Sequence, residues 1–138
     1  MPEALELRLP PTPEAVGELM DRLEAWAEEA ELPPRLTSHL MLVCEELAAN
    51  IAGHGAAAGA GFMAFSLRQD GEGLRVVIED DGPEFDPLSA PVPDTAAPMD
   101  DREPGGLGLH LVRRLASTVC YARADGRNRV SLTLGAPG

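Results

Sequence analysis

Three short stretches of the sequence carry polar residues whose types and spacing could support chemistry. The first contains Glu46, Asn50 and His54, which are four residues apart and so share one side of a helix. The apolar residues around them follow a helical period that puts Glu46 and Asn50 beside the inward face and Glu45 in solvent. A carboxylate there can accept a hydroxyl proton, and an amide oxygen suits Mg²⁺. Alternatively, Asn50 and His54 only tie down the backbone of the loop that follows.

The second stretch is I-E-D-D-G-P-E-F-D-P, in which Asp80 ends a predicted strand. A carboxylate at a strand end can accept a hydrogen bond from the exocyclic amine of a nucleobase, and Gly82 leaves room for a base to approach the backbone. The other interpretations are an acidic turn or a weak calcium site. The spacing does not match an EF-hand loop, which argues against calcium.

The third stretch is G-G-L-G-L, which comprises Gly105, Gly106, Leu107, Gly108 and Leu109 and runs into a predicted helix. Free backbone N–H groups and the positive end of the helix dipole can together bind phosphate at such a place. The G-K-[ST] ending of a P-loop is missing, and no strand leads directly into the glycines. Alternatively, the stretch is only a flexible loop end.

The elements that must position these residues can be read from hydrophobic periodicity and turn residues. Alternation predicts an opening strand, two helices follow it, and two hairpins are separated by a proline-rich loop and a third helix. The first helix has Thr12 as its N-cap, and Trp26 is predicted to face the core. The predicted bounds are strand 4–9, helix 13–30, a second helix from about 34 that ends before Gly53, strands 62–69 and 74–80, helix 110–117, and strands 119–124 and 128–134.

This order predicts an α+β fold, a two-layer sandwich in which helices cover one face of a mixed or antiparallel sheet. With 138 residues the chain is expected to form one domain over 1–138. The formal net charge of −12 argues against a nonspecific nucleic-acid binder and against a basic membrane-surface module. No signal-peptide pattern or long apolar run is present, so a cytoplasmic domain is expected. Cys44 and Cys120 are expected to be two buried thiols, and a structural disulfide between them is the alternative.

Taken in order, E-x-x-x-N-x-x-x-H, D-x-G-x-x-F-D-P and G-G-L-G-L resemble the N box and the two glycine boxes of the GHKL ATPases. That superfamily includes gyrase B, histidine kinases and MutL. The short form of this chain is similar to the anti-sigma factor serine kinases of the RsbW and SpoIIAB type, with a Bergerat-type ATP-binding fold. A histidine-kinase phospho-acceptor helix is not indicated, because His39 is followed by Leu40 and not by Glu.

The resemblance implies a role for each matching residue. Glu46 would be the base that activates the attacking hydroxyl, Asn50 the Mg²⁺ ligand, and Asp80 the acceptor of the adenine amine, with Gly82 beside the base. Residues 105–109 would offer backbone N–H groups to the phosphates of ATP, and residues 83–104 would be the ATP lid. Positive charge near the phosphates would come from Arg102, Arg113 and Arg114.

The resemblance also implies partners, namely a sigma factor and a STAS-fold antagonist that is phosphorylated on Ser or Thr, and a homodimer. The sequence departs from the family at two places. Pro104 stands where several members have a basic residue before the glycines, and Asn128-Arg129 stands where many have a threonine near the adenine. The alternative function is therefore a noncatalytic ATP-binding interaction module.

Overall fold

A computed structural model of the chain describes residues 4–89 and 106–135, and the elements within these ranges follow the predicted order. There are five strands and three helices in this part of the chain. In chain order they are β1 (Leu5–Leu9), α1 (Pro13–Glu29), α2 (Pro34–Asn50), β2 (Met63–Asp70), β3 (Gly73–Asp80), α3 (Gly106–Leu115), β4 (Thr118–Ala124) and β5 (Arg127–Leu134).

The strands form one sheet in the order β1-β2-β3-β5-β4, and each neighbouring pair is antiparallel. The α+β prediction is confirmed, and the described strands form an antiparallel sheet rather than a mixed one. Hairpin turns join β2 to β3 and β4 to β5, with positive φ angles at Gly71, Asp125 and Gly126, as tight two-residue turns require. Because β3 is central, its last residue, Asp80, faces Met63 on one side and Asn128 on the other.

The helices form because each places an apolar stripe on the sheet. Thr12 caps α1, where its Oγ1 accepts the N–H of Ala15 at 3.1 Å, and Pro13 occupies the first turn. Trp26 is buried in the core, as predicted. Among the described residues the core is otherwise built from Leu, Val, Ile, Met and Ala together with Cys44 and one Phe, including Leu19, Leu23, Leu40, Val43, Leu47, Phe65, Val76, Ile78, Val112 and Leu132.

The face of the sheet away from the helices carries a groove of about 350 Å³ across β1, β2 and β3. Glu79 and Arg129 form an ion pair there at 3.5 Å. Cys120 is exposed, so the prediction that both thiols are buried is wrong for this residue. It lies on edge strand β4, where its half-buried neighbours Val119 and Tyr121 take the positions that pack against the core. No helix in the described ranges is long and apolar enough to cross a bilayer.

The two helices next to the predicted site begin or end at residues other than those predicted. Helical structure does not end before Gly53 but continues through a π-helical turn, Ile51–Gly55, to residue 57. Helix α3 begins at Gly106, four residues earlier than expected, so Gly106 and Gly108 lie inside its first turn. It ends at Leu115 because Ser117 is held at the end of β5: its N–H donates to the Thr133 carbonyl at 2.8 Å, and its hydroxyl donates to the carbonyl of Gly135, which follows the strand, at 2.6 Å.

Candidate functional site

Two adjacent glutamates on α2 have different environments. Glu45 is exposed and Glu46 is half-buried, as the helical period predicts. Burial raises the pKa of the Glu46 carboxyl above its ordinary value, and the negative charge of Glu45 raises it further. Within the described ranges no hydrogen bond or ion pair engages this carboxylate. The pKa of Glu46 is therefore shifted in the direction that suits a general base working near neutral pH.

Asn50 is the last residue of α2, one turn beyond Glu46, and it is half-buried at the wall of a small cavity. The π-helical turn that follows contains His54, which is exposed. His54 is thus more exposed than Asn50, with which it was expected to share one side of the helix, because a π turn has a different period from an α-helix. Asn50 keeps the predicted position because it precedes that turn.

Asp80 ends β3 and is buried, with 9% of its surface exposed. Its Oδ1 accepts the N–H of Gly82 at 2.9 Å and Nδ2 of Asn128 at 3.1 Å. Its Oδ2 receives no hydrogen bond from any residue that the structure describes. The carboxylate is thus fixed through one oxygen, and the other is left to accept a donor from a ligand.

Position 82 requires glycine for a steric reason that the sequence did not reveal. A Cβ at this position would lie 2.9 Å from Oδ1 of Asp80 and 3.3 Å from Cβ of Ala60. A side chain would therefore push the carboxylate out of place and disturb the bond that holds it.

Asp81 lies next to Asp80 but has a different function in the fold. Its Oδ1 accepts the N–H of Gly61 at 2.7 Å and that of Phe62 at 3.1 Å, so it fixes the chain entering β2. The Gly61 hydrogen bond is the main reason that the pKa of this carboxyl is lowered. No group of three or more possible metal-binding His, Cys, Asp or Glu side chains occurs among residues 4–89 and 106–135, which gives the calcium interpretation no support there.

Asn128 is buried at the start of β5, and sequence reasoning did not count it among the site residues. Its Nδ2 donates to Asp80 and to the carbonyl of Pro83 at 2.9 Å. Its Oδ1 accepts the hydroxyl of Tyr121 at 2.6 Å and the N–H of Phe85 at 3.1 Å. The one feature of the sequence that could have identified Asn128 as a site residue is its position, at which many GHKL ATPases have a threonine near the adenine.

Two residues of β4, Tyr121 and Arg123, also bind the groups around Asp80 and Asn128. Burial raises the pKa of the Tyr121 phenol, and the charge of Glu84 adds to the effect, so the hydroxyl keeps its proton and can donate. Arg123 donates from Nη1 to the carbonyl of Gly82 at 2.7 Å. The turn after β3 is therefore bound to both β4 and β5.

These side chains meet at one cavity between α2, β3 and β5. The predicted site residues Asn50 and Asp80 line it together with Leu47, Ile51, Ile78, Phe85, Pro87, Asn128 and Val130. Its volume is about 20 Å³, which is room for about one water molecule. A nucleobase needs more space, and Phe85 and Pro87 are the lining residues that belong to neither a helix nor a strand of the core.

The glycine stretch is described only in part. Gly106, Leu107, Gly108 and Leu109 form the first turn of α3, whose backbone N–H groups have no partners within the helix. Gly105, Arg102 and most of the predicted lid, from residue 90 to residue 105, lie outside the described residues. Arg113 and Arg114 lie in the last turn of α3, at the opposite end from the glycines, so they are poorly placed to supply charge at the first turn.

The described residues suit a magnesium ion that arrives with a nucleotide better than one held by protein alone. Asn50 offers one amide oxygen beside the cavity. Mg²⁺ keeps several waters and is usually bound by one or two protein ligands together with substrate phosphates. One neutral ligand of this kind fits that pattern.

Comparison with known proteins gives the chain a family. The model of the histidine kinase-like ATPase domain matches residues 9–134. The serine/threonine-protein kinase BtrW of Bordetella bronchiseptica is 34% identical over an alignment 113 residues long, and the match covers 78% of this chain and 80% of BtrW.

Two solved structures share the fold. The structure of the RsbU and RsbW domains from Mycobacterium tuberculosis has a TM-score of 0.69 and 17% identity, and covers 96% of this chain but 32% of its own. The SiaB–SiaC complex from Pseudomonas aeruginosa has a TM-score of 0.61 and 19% identity, and covers 94% of this chain and 88% of its own. The resemblance of the three motifs to the GHKL ATPases is confirmed, and the chain belongs to the histidine kinase-like ATPase domain family.

Proposed function

We propose that this chain is an ATP-dependent protein kinase that transfers a phosphoryl group to a serine or threonine of a partner protein. The observation that carries the proposal is the arrangement on α2. Glu46, whose pKa is raised by burial, lies one turn before Asn50, and Asn50 lines the same cavity as Asp80. The printed name of BtrW, a serine/threonine-protein kinase, supports the same activity.

Each residue has a task that follows from its surroundings. Oδ2 of Asp80 accepts the exocyclic amine of adenine, and the N–H groups at the start of α3 bind phosphate oxygens. Asn50 would hold the Mg²⁺, which would neutralise phosphate charge. Glu46 takes the proton of the partner's hydroxyl as that oxygen bonds to the γ-phosphorus. The bond from the γ-phosphorus to the bridging oxygen breaks, and ADP leaves with the electron pair.

We further propose that the partner is an antagonist protein of STAS fold and that the chain also sequesters a sigma factor or similar regulator. The support is the resemblance to anti-sigma factor serine kinases together with the identity to BtrW. The net charge of −12 makes direct binding to nucleic acid unfavourable, which fits a regulator that acts through proteins. A cytoplasmic location and a homodimer belong to the same proposal.

The test is to incubate the purified chain with Mg-ATP and the STAS-fold protein encoded beside it, and to measure the mass of that protein. A gain of one phosphoryl group on a serine or threonine is expected. Nucleotide binding without any mass change would favour the noncatalytic ATP-binding module, in line with Pro104 standing where several relatives have a basic residue. If neither binding nor transfer is detected, both functions are wrong.

A further inference from the structure

The Asn128 side chain uses its whole hydrogen-bonding capacity within the protein. A carboxamide has two N–H donors and an oxygen with two lone pairs. The donors reach Oδ1 of Asp80 at 3.1 Å and the Pro83 carbonyl at 2.9 Å. The oxygen receives the Tyr121 hydroxyl at 2.6 Å and the Phe85 N–H at 3.1 Å. The orientation of the amide is therefore fixed, since turning it over would bring donors against donors.

The four hydrogen-bond partners of Asn128 fall into two groups, one in the sheet and one outside it. Asp80 and Tyr121 belong to strands β3 and β4, both of which pair directly with β5. The main-chain groups of Pro83 and Phe85 belong to residues 83–89, here called the 83–89 segment, which has no strand partner and contains one short 3₁₀ turn, Pro87–Ser89. Asn128 thus connects a carboxylate on a paired strand to a segment that lies outside the sheet.

The 83–89 segment also limits the space beside Asp80. Phe85 and Pro87 line the cavity, which has room for about one water molecule. The other lining residues lie on α2, the π-helical turn, β3 and β5, all of which are part of the packed core. A purine base can therefore enter beside Asp80 only if the 83–89 segment moves, and that movement takes the Phe85 N–H away from Oδ1 of Asn128.

The hydroxyl of Tyr121 keeps Asn128 in place when the 83–89 segment moves. It lies closer to Oδ1 than the Phe85 N–H does, 2.6 Å against 3.1 Å, and it stays in place because Tyr121 is part of β4. When the segment leaves, the buried oxygen of Asn128 still has a partner, so the amide does not turn. Nδ2 then continues to donate to Asp80, which keeps Oδ2 of Asp80 directed at the base.

We propose that Asn128 is a positioning residue with two roles: it orients Asp80 for recognition of the adenine amine, and it holds the 83–89 segment over the cavity until a nucleotide enters. Tyr121 is the residue that allows the second contact to break while the first persists. This inference rests on the proposed function only as far as nucleotide binding, and phosphoryl transfer plays no part in it.

The experiment measures the affinities of Mg-ADP and Mg-IDP by calorimetry for the wild-type chain and for three variants. Inosine carries an oxygen where adenine carries the amine, so the ratio of the two affinities reports the orientation of Asp80. Asn128→Ala should weaken ADP binding about tenfold and weaken IDP binding less, so the ratio falls. Tyr121→Phe should weaken ADP binding by a factor of a few and IDP binding less, so the ratio falls in the same direction, because the Asn128 amide can turn once the Phe85 N–H has left. Ser131→Ala, also on β5 but on the sheet face away from the helices, is the matched control and should change neither affinity.

A second measurement follows the amide hydrogen of Phe85 by hydrogen exchange. Its protection should be present without nucleotide and fall when ADP saturates the chain, whereas the amide of Gly82, which donates to Asp80, should stay protected. An Asn128→Ala variant with the wild-type ADP/IDP ratio would overturn the first role. Unchanged protection of Phe85 on ADP binding would overturn the second. Failure of the wild-type chain to bind ADP would overturn the nucleotide site itself, whereas binding without kinase activity would leave the inference intact and remove only the proposed reaction.

Discussion

Replacing Asp80 with asparagine should reverse the base preference of the chain. Oδ1 of Asp80 accepts two hydrogen bonds, from the Gly82 N–H at 2.9 Å and from Nδ2 of Asn128 at 3.1 Å. The oxygen of the new amide must take that place, because its NH₂ group would meet two donors there. The NH₂ group then faces the cavity and meets the amine of adenine, donor against donor.

The magnitude follows from the bond that is lost. A hydrogen bond to a charged acceptor contributes about 1.5–3 kcal/mol, so the affinity for Mg-ADP should fall tenfold to a hundredfold. Mg-IDP should bind the variant at least as tightly as it binds the wild type, since the new NH₂ group can donate to the inosine oxygen. Calorimetry with both nucleotides measures this.

Asp81→Asn is the control for this substitution. Asp81 is exposed and accepts backbone N–H groups through Oδ1, which an asparagine oxygen can also do, so both affinities should stay within a fewfold of wild type. The assignment of Asp80 to the base is refuted if Asp80→Asn binds ADP as tightly as the wild type, or if it loses ADP and IDP affinity equally.

Four further predictions concern α2 and the two thiols. Glu46→Gln should lower phosphoryl transfer by roughly 10²–10⁴ at saturating ATP, the range for loss of a general base, while ATP affinity survives. Equal initial rates for this variant and the wild type would remove Glu46 from the reaction. Because the charge of Glu45 raises the pKa of Glu46, Glu45→Gln should move the acidic limb of the pH–rate profile to lower pH and leave the plateau rate within a fewfold; an unmoved limb would contradict the coupling. Asn50→Ala should weaken nucleotide binding in Mg²⁺ but not in EDTA, which titrations in the two buffers would show, and an equal loss in both would exclude a magnesium ligand. Burial raises the pKa of the Cys44 thiol to about 12, so iodoacetamide should label native chain at exposed Cys120 alone, as peptide mass mapping can check; modification of Cys44 without denaturant would contradict its burial.

The local part of the site was predictable from the sequence because it depends on short-range periodicity. The α-helical period distinguishes Glu46 from Glu45, and the end of an alternating run identifies Asp80 as the last residue of a strand. The structure has Glu45 exposed, Glu46 half-buried and Asp80 at the end of β3. These positions need only the geometry of one element.

The parts that were missed depend on geometry that a local pattern does not contain. His54 is exposed because a π turn changes the helical period after Asn50. The contact of Asn128 with Asp80 depends on the pairing of β3 with β5, and no short turn fixes the register of strands so far apart in the chain. Cys120 has apolar neighbours in the sequence, but only the position of β4 at the sheet edge explains its exposure.

The pairing of β3 with β5 has a consequence for the order in which this protein can fold. The hydrogen bond between Asp80 and Asn128 joins residues 48 apart, whereas β2 and β3 are joined by a tight turn. Contacts that close long loops form late, because their entropy cost is met only when most of the fold is in place. A chain whose β4–β5 hairpin has not yet docked holds Asp80 without its partner and leaves the edge of β3 unpaired. We therefore expect nucleotide to bind completed chains in preference to partly folded ones, and by mass action to reduce the fraction of chains in which that edge is unpaired.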